Sequence, residues 1–147
     1  MSGFSTLLLV GLATDLHNAG IGTWSTSGVY TVAQTGIVLG TVPQGPDRII
    51  TLTAYGVSDS PALSDSVIGV QVRCRWGGGD PRLVQDLDDL IFSLLHGKTN
   101  WTLTGGVYVV ECRRNSGPMS LGQDSNLRWS LSSNYYVTVH RPSTNRT

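Results

Sequence analysis

The chain has 147 residues, the length of one ordinary domain, and its ten basic side chains balance ten acidic ones, so it carries no formal net charge. That balance removes the global field that would draw a protein to nucleic acid or to an anionic membrane. Charged residues make up only 14% of the chain, well under the usual level of about a quarter, so part of the surface is expected to be hidden in an oligomer.

Residues 5–19 place Leu8, Leu12, Ala13 and Leu16 at helical spacing, with Ser5 as cap and Gly20 at the exit, which predicts a first helix. The longest apolar run, Leu7 to Val10, is far shorter than the roughly 20 residues a membrane-spanning helix needs. The N-terminus lacks the basic start and cleavage site of a secretory signal, so the chain is expected to be made in the cytoplasm. Gly20 to Gly28 reads as a loop or a short extended piece around Trp24. Ile37-Val38-Leu39 suits a short strand that Pro43 and Pro46 end. From Asp47 to Tyr55, Ile50, Leu52 and Ala54 alternate with Ile49, Thr51 and Thr53, as in a strand, and Gly56 to Asp65 reads as a polar connection.

From Ser66 onward, Ile68, Val70, Val72, Cys74 and Trp76 fall on one face of a strand, and Gly69, Gln71, Arg73 and Arg75 on the other. Gly77-Gly78-Gly79 leads into a second helix with Asp80 as N-cap and Pro81 in its first turn. Its apolar stripe is Val84, Leu87, Leu90, Ile91, Leu94 and Leu95, and His96 and Gly97 close it. The opposite face carries Arg82, Gln85, Asp86, Asp88 and Asp89, facing solvent or another subunit.

Trp101 to Leu103 and Val107 to Cys112 flank Gly105-Gly106, a hairpin signal that predicts antiparallel pairing. Residues 116–127, rich in Gly, Ser, Asn and Asp, read as a loop holding Met119, Leu121 and Asp124. Its apolar residues either fold back over the sheet edge or reach a partner. Arg128 to His140 alternates again, with Trp129, Leu131, Tyr135, Val137 and Val139 on one face, while Tyr136, of opposite phase, is placed at an interface. Residues 141–147 read as a frayed tail. Helix, strands, helix, strands within one domain spanning residues 1–147 predict an α+β fold, an antiparallel or mixed β-sheet covered on one face by two α-helices.

The residues supply no catalytic constellation. The triple glycine lacks the Lys and Ser or Thr of a P-loop and the spacing of a dinucleotide fingerprint, so it reads as a flexible strand-to-helix turn; a small phosphate-ligand-binding enzyme is the alternative. His17, His96 and His140 stand apart in the chain, and Cys74 and Cys112 read as reduced core residues, so neither metal nor cofactor is expected. Asp86, Asp88 and Asp89 on an exposed helix would keep ordinary carboxylate behaviour. Arg73, Arg75, Arg113, Arg114 and Arg128 lie on predicted strands, but the acidic helix balances them. Ion pairs across strands or between subunits are the expected use, not a nucleic-acid face. The candidate subunit contacts are therefore Arg73, Arg75, Asp86, Asp89 and Tyr136, and the candidate partner-contact loop is Met119, Leu121 and Asp124.

Six pieces of the chain, in this order and spacing, resemble a known family. They are Thr35-Gly36-Ile37 leading to Pro43 and Asp47; Leu52-Thr53-Ala54-Tyr55-Gly56; Val70-Gln71-Val72-Arg73-Cys74-Arg75; Asp80-Pro81 with Leu87-Asp88-Asp89-Leu90-Ile91; Leu121-Gly122-Gln123-Asp124 to Arg128; and Ser133-Asn134-Tyr135. Together they resemble the tail terminator proteins of long-tailed bacteriophages, often labelled minor capsid or tail completion proteins, in the versions found in phages of actinobacteria. Arg75-Trp76-Gly77 departs from the direct Arg-Gly pair of that pattern. The resemblance implies a structural virion protein, not an enzyme, that forms a homohexameric ring at the head-proximal end of the tail. The ring would stop addition of the tail tube protein and present a surface to the head-tail connector or stopper protein. Genomic DNA would be only cargo passing through, and no membrane is involved. A connector or stopper (head completion) protein on the capsid side of the joint is the runner-up. Closing a ring requires two different patches on each subunit, and Asp86 and Asp89 are expected to meet Arg73 or Arg75 of a neighbour.

Overall fold

A computed structural model describes residues 2–146. Helix α1 (Phe4–Asn18) buries Leu8, Leu9, Leu12, Ala13 and Leu16. Its N-cap is Gly3, which offers no side-chain cap, so Ser5 lies inside the first turn and does not begin the helix. Gly20 leaves the helix with φ of +76°, a conformation that favours glycine. Seven strands are described: β1 (Thr23–Trp24), β2 (Gly36–Leu39), β3 (Ile49–Asp59), β4 (Asp65–Trp76), β5 (Thr99–Thr102), β6 (Tyr108–Gln123) and β7 (Trp129–His140), with α2 (Pro81–Leu95) between β4 and β5. They form one mixed sheet in the order β1-β2-β3-β4-β7-β6-β5. The β1–β2 and β2–β3 pairs are parallel, and the rest are antiparallel. Two helices and a mixed sheet in one domain make the fold α+β.

The alternation along β4 sets the core. Ile68, Val70, Val72 and Cys74 are buried in a single apolar cluster with Ile50 and Leu52 of β3, Tyr135, Val137 and Val139 of β7, and the buried stripes of both helices. Helix α1 packs against β1, β2 and β3, and α2 against β4, β6 and β7. Asp80 caps α2 by accepting from the Arg82 amide at 3.0 Å, and Pro81 occupies the first turn. The stripe Val84, Leu87, Ile91 and Leu95 is buried, and each such side chain contributes about 1.5–3 kcal/mol. Leu90 is not part of that stripe but 55% exposed, and Asp88 is buried in its place. Position 88 lies four residues after Val84 and three before Ile91, so helical phase turns it inward despite its charge.

Three other expectations are corrected. Residues 56–65 are not all connection: β3 runs on to Asp59, with an irregularity between Gly56 and Ser58. Residues 116–127 are not a loop: β6 continues to Gln123, and only the turn after it lies outside the strands. Register shifts between Arg114 and Ser116, Ser116 and Met119, and Ser120 and Gly122 absorb the glycines and the proline. The tail is not frayed over its described part. Arg146 is buried and donates to the carbonyls of Ser60 at 3.0 Å, Ser64 at 3.2 Å and Arg141 at 2.6 Å, and to Ser66 Oγ at 2.9 Å. Thr147 lies outside the described residues.

Cys74 and Cys112 are buried free thiols. Burial pushes the Cys74 pKa well up and that of Cys112 to about 12. Gly69 on β4 accommodates the Tyr55 ring, which would sit 2.2 Å from a Cβ at that position. Among the described residues no helix is long and apolar enough to cross a membrane.

Candidate functional site

The face of β4 turned away from the apolar cluster carries Arg73 and Arg75. Register places Arg73 beside Thr51 of β3 and Ser132 of β7, and Ser132 beside Met119 of β6. On the same face Gly69 lies between Tyr55 and Tyr136, and Tyr136 is opposite Arg113. The Arg113 guanidinium stands 5.2 Å from the Tyr136 ring centre and 3.6 Å from Glu111. Three of the candidate residues from separate strands, Arg73, Tyr136 and Met119, are thus brought onto one sheet face.

Arg75, expected to face a neighbour, is instead covered by residues 44–47 and is 4% exposed. Its Nη2 donates to the Pro46 carbonyl at 2.7 Å and its Nε to that of Asp47 at 3.0 Å. Arg128, equally buried, donates to the Gln44 carbonyl and pairs with Asp124 at 2.8 Å and Asp47 at 3.6 Å. The two arginines strap residues 44–47 to the sheet. Burial lowers the Arg75 pKa, and the neighbouring Arg128 charge lowers it further. Asp124 is likewise engaged within the chain: its carboxylate accepts from the amides of Asn126 and Arg128. Those bonds hold its pKa below the usual carboxylate range, the Arg128 amide contributing most.

Asp88, predicted on the outer face, is fully buried; Ser133 Oγ donates to it at 2.8 Å and Arg114 Nη1 lies at 3.4 Å. Burial raises its pKa against the opposing pull of Ser133 and Arg114. Asp86 and Asp89 are exposed on α2 and make no ion pair among the described residues. Arg73 also makes no ion pair among them, and its Nε is buried without a hydrogen-bond partner. An unsatisfied buried donor costs about 1–3 kcal/mol. Met119 and Leu121, 62% and 46% exposed, do not fold back over the edge.

Sequence reasoning missed a groove beside Asp86, lined by Ile21, Thr35, Trp76, Leu83, Leu87 and Leu90. Its signal was present: Leu83 and Leu90 stand three residues before and four after Asp86, on the same stripe of α2. The triple-glycine turn is fastened from two sides. Trp129 Nε1 donates to the Gly79 carbonyl at 3.0 Å, and a Cβ at position 77 would meet Asp47 Oδ2 at 2.7 Å. It acts as the close-packed connection from β4 to α2.

No curated protein matches the chain. A family model described as bacteriophage tail terminator protein matches residues 15–141, from within α1 through the whole of β7. That span takes in the strapped sheet face, α2 and β6 alike, and on it the chain belongs to the bacteriophage tail terminator protein family, structural components of the virion tail.

Proposed function

We propose that the protein assembles as a homohexameric ring on the head-proximal end of the tail tube, ends addition of the tail tube protein and offers the docking surface for the head-tail connector or stopper protein. Family membership supports this reading, and one observation carries it to the residues. Among the described residues, the exposed carboxylates Asp86 and Asp89 on α2 have no cationic partner, while Arg73 on the sheet has no anionic one and keeps a buried Nε without an acceptor. A closed ring requires two different, complementary patches on each subunit, and opposite charge is one form that complementarity takes. In this reading both helices cover the same face of the sheet, and Arg73, Tyr136 and Met119 form the contact surface on the other. One side of the ring copies the contact of the next tube ring and the other withholds it, so growth stops by mismatch. Genomic DNA passes through as cargo, and assembly takes place in the host cytoplasm without turnover or cofactor.

The test mixes purified protein with tail-tube subunits and images the products. Hollow rings at tube ends and tubes shortened in proportion to added protein are expected. Tubes of unchanged length with bare ends would refute the reading, and binding to a capsid-side connector alone would move the protein to the other side of the joint.

A further inference from the structure

The α2 strip and the outer sheet face each leave something unfinished. On α2, Asp86 stands between two exposed leucines, Leu83 and Leu90, in the wall of a groove that Trp76 also lines. Several carboxylates elsewhere have a cation within the chain: Asp80 has Arg82, Asp124 has Arg128 and Asp59 has Arg146. Asp86 has none among the described residues, so this strip is acidic as well as apolar.

On the sheet, Arg73 has a buried Nε that lacks an acceptor. Met119 shares its cross-strand row, with the small Ser132 between them. Two strand spacings, about 10 Å, separate the two backbones, and both side chains are long enough to converge on one target. The sheet row thus presents a cation beside a flexible apolar group, and the α2 strip an anion beside an apolar groove. Methionine suits such a seat, since its unbranched side chain adapts to irregular apolar surfaces.

We infer that the α2 strip Leu83, Asp86, Leu90 receives the Arg73 and Met119 row of a second copy of this chain. Asp86 binds the Arg73 guanidinium, and Met119 seats against Trp76, Leu83 and Leu90. The two patches differ, so each copy uses one on each neighbour, and the contact propagates around a ring. This names the contact inside the ring proposed above and rests on that reading.

The test is a charge exchange between two otherwise intact proteins, Arg73→Glu and Asp86→Lys, each checked for folding by circular dichroism. Assembly is read as mass in solution and as rings on tail-tube ends. Each variant alone should need about tenfold more protein to assemble, or fail to assemble. The equimolar mixture should recover. In an alternating ring the reversed position 73 of one variant meets the reversed position 86 of the other, and the unaltered pair serves the next contact. Met119→Lys should weaken assembly to a similar degree and should not recover when mixed with Asp86→Lys.

Variants that assemble like the wild type, or a mixture no better than its components, would overturn this contact and leave the ring standing. Loss of tube capping with self-association intact would assign the patches to the tube protein and overturn it as well. A wild-type protein that forms no ring, alone or on tube ends, would overturn the ring reading and this contact with it.

Discussion

Replacing Arg75 with Met should weaken the fold and spare assembly, whereas Arg73→Met should do the opposite, although the two arginines lie two residues apart on one strand face. Arg75 makes two well-formed bonds to backbone carbonyls, at 2.7 and 3.0 Å, and a third contact to the Gln44 carbonyl at 3.4 Å that adds little. Bonds from a charged donor contribute about 1.5–3 kcal/mol each, so the two give roughly 3–6 kcal/mol gross. Opposing them is the cost of taking a guanidinium out of water beside Arg128, the cause of its lowered pKa. Methionine preserves much of the stem's packing. The net loss should be about 2–3 kcal/mol, or a fall in Tm of about 6–12 °C for a chain of this size. Thermal unfolding by circular dichroism, with capped tubes counted in parallel by electron microscopy, checks both halves. An Arg75→Met midpoint within about 2 °C of wild type, or a larger loss from Arg73→Met, would refute the strap as the role of Arg75.

Burial holds the Asp88 pKa above its ordinary range, so between those two values the native state binds more protons than the unfolded chain. Its contribution to stability therefore falls as pH rises through that window and stays low above it. Asp88→Asn keeps an acceptor for Ser133 and removes the titration, so the stability difference should move in the variant's favour as pH rises from about 4 to neutrality; denaturant titrations showing a pH-independent difference would contradict this. Arg146→Ala should cost about 2 kcal/mol and free the end of the chain, seen as faster hydrogen exchange at the Arg141 amide, which bonds the Ser64 carbonyl. Unchanged exchange there would mean that the arginine does not hold the tail.

Strand β4 and helix α2 were legible because their signals are local: one buried face at period two, and a capping Asp followed by Pro. Asp88 was misread because residue type outweighed phase. Its position in the helix demanded burial, and the compensating Ser133 and Arg114 lie 45 and 26 residues away in sequence. The second half of β6 looked like a loop because Gly117, Pro118 and Gly122 are turn formers by composition. Pairing with β7 takes them up as irregularities, which no local window displays. Arg146 gave no sign for the same reason, since its partners Ser60, Ser64 and Ser66 are 80 to 86 residues distant. Arg73 and Arg75 are equivalent by alternation, and only the path of residues 44–47 over one of them separates a contact candidate from a structural one.

Strand β5 pairs with Tyr108–Glu111, so from Arg113 to Gln123 the outer edge of β6 has no strand beside it among the described residues. An open edge of that length would ordinarily recruit any extended chain it met. Here the broken register and Pro118 deny a newcomer the evenly spaced donors and acceptors it would need. In the ring proposed above, such a ragged margin would keep a free subunit from pairing with stray extended chains. Adhesion would then fall to particular side chains in particular positions, which a stray strand cannot counterfeit.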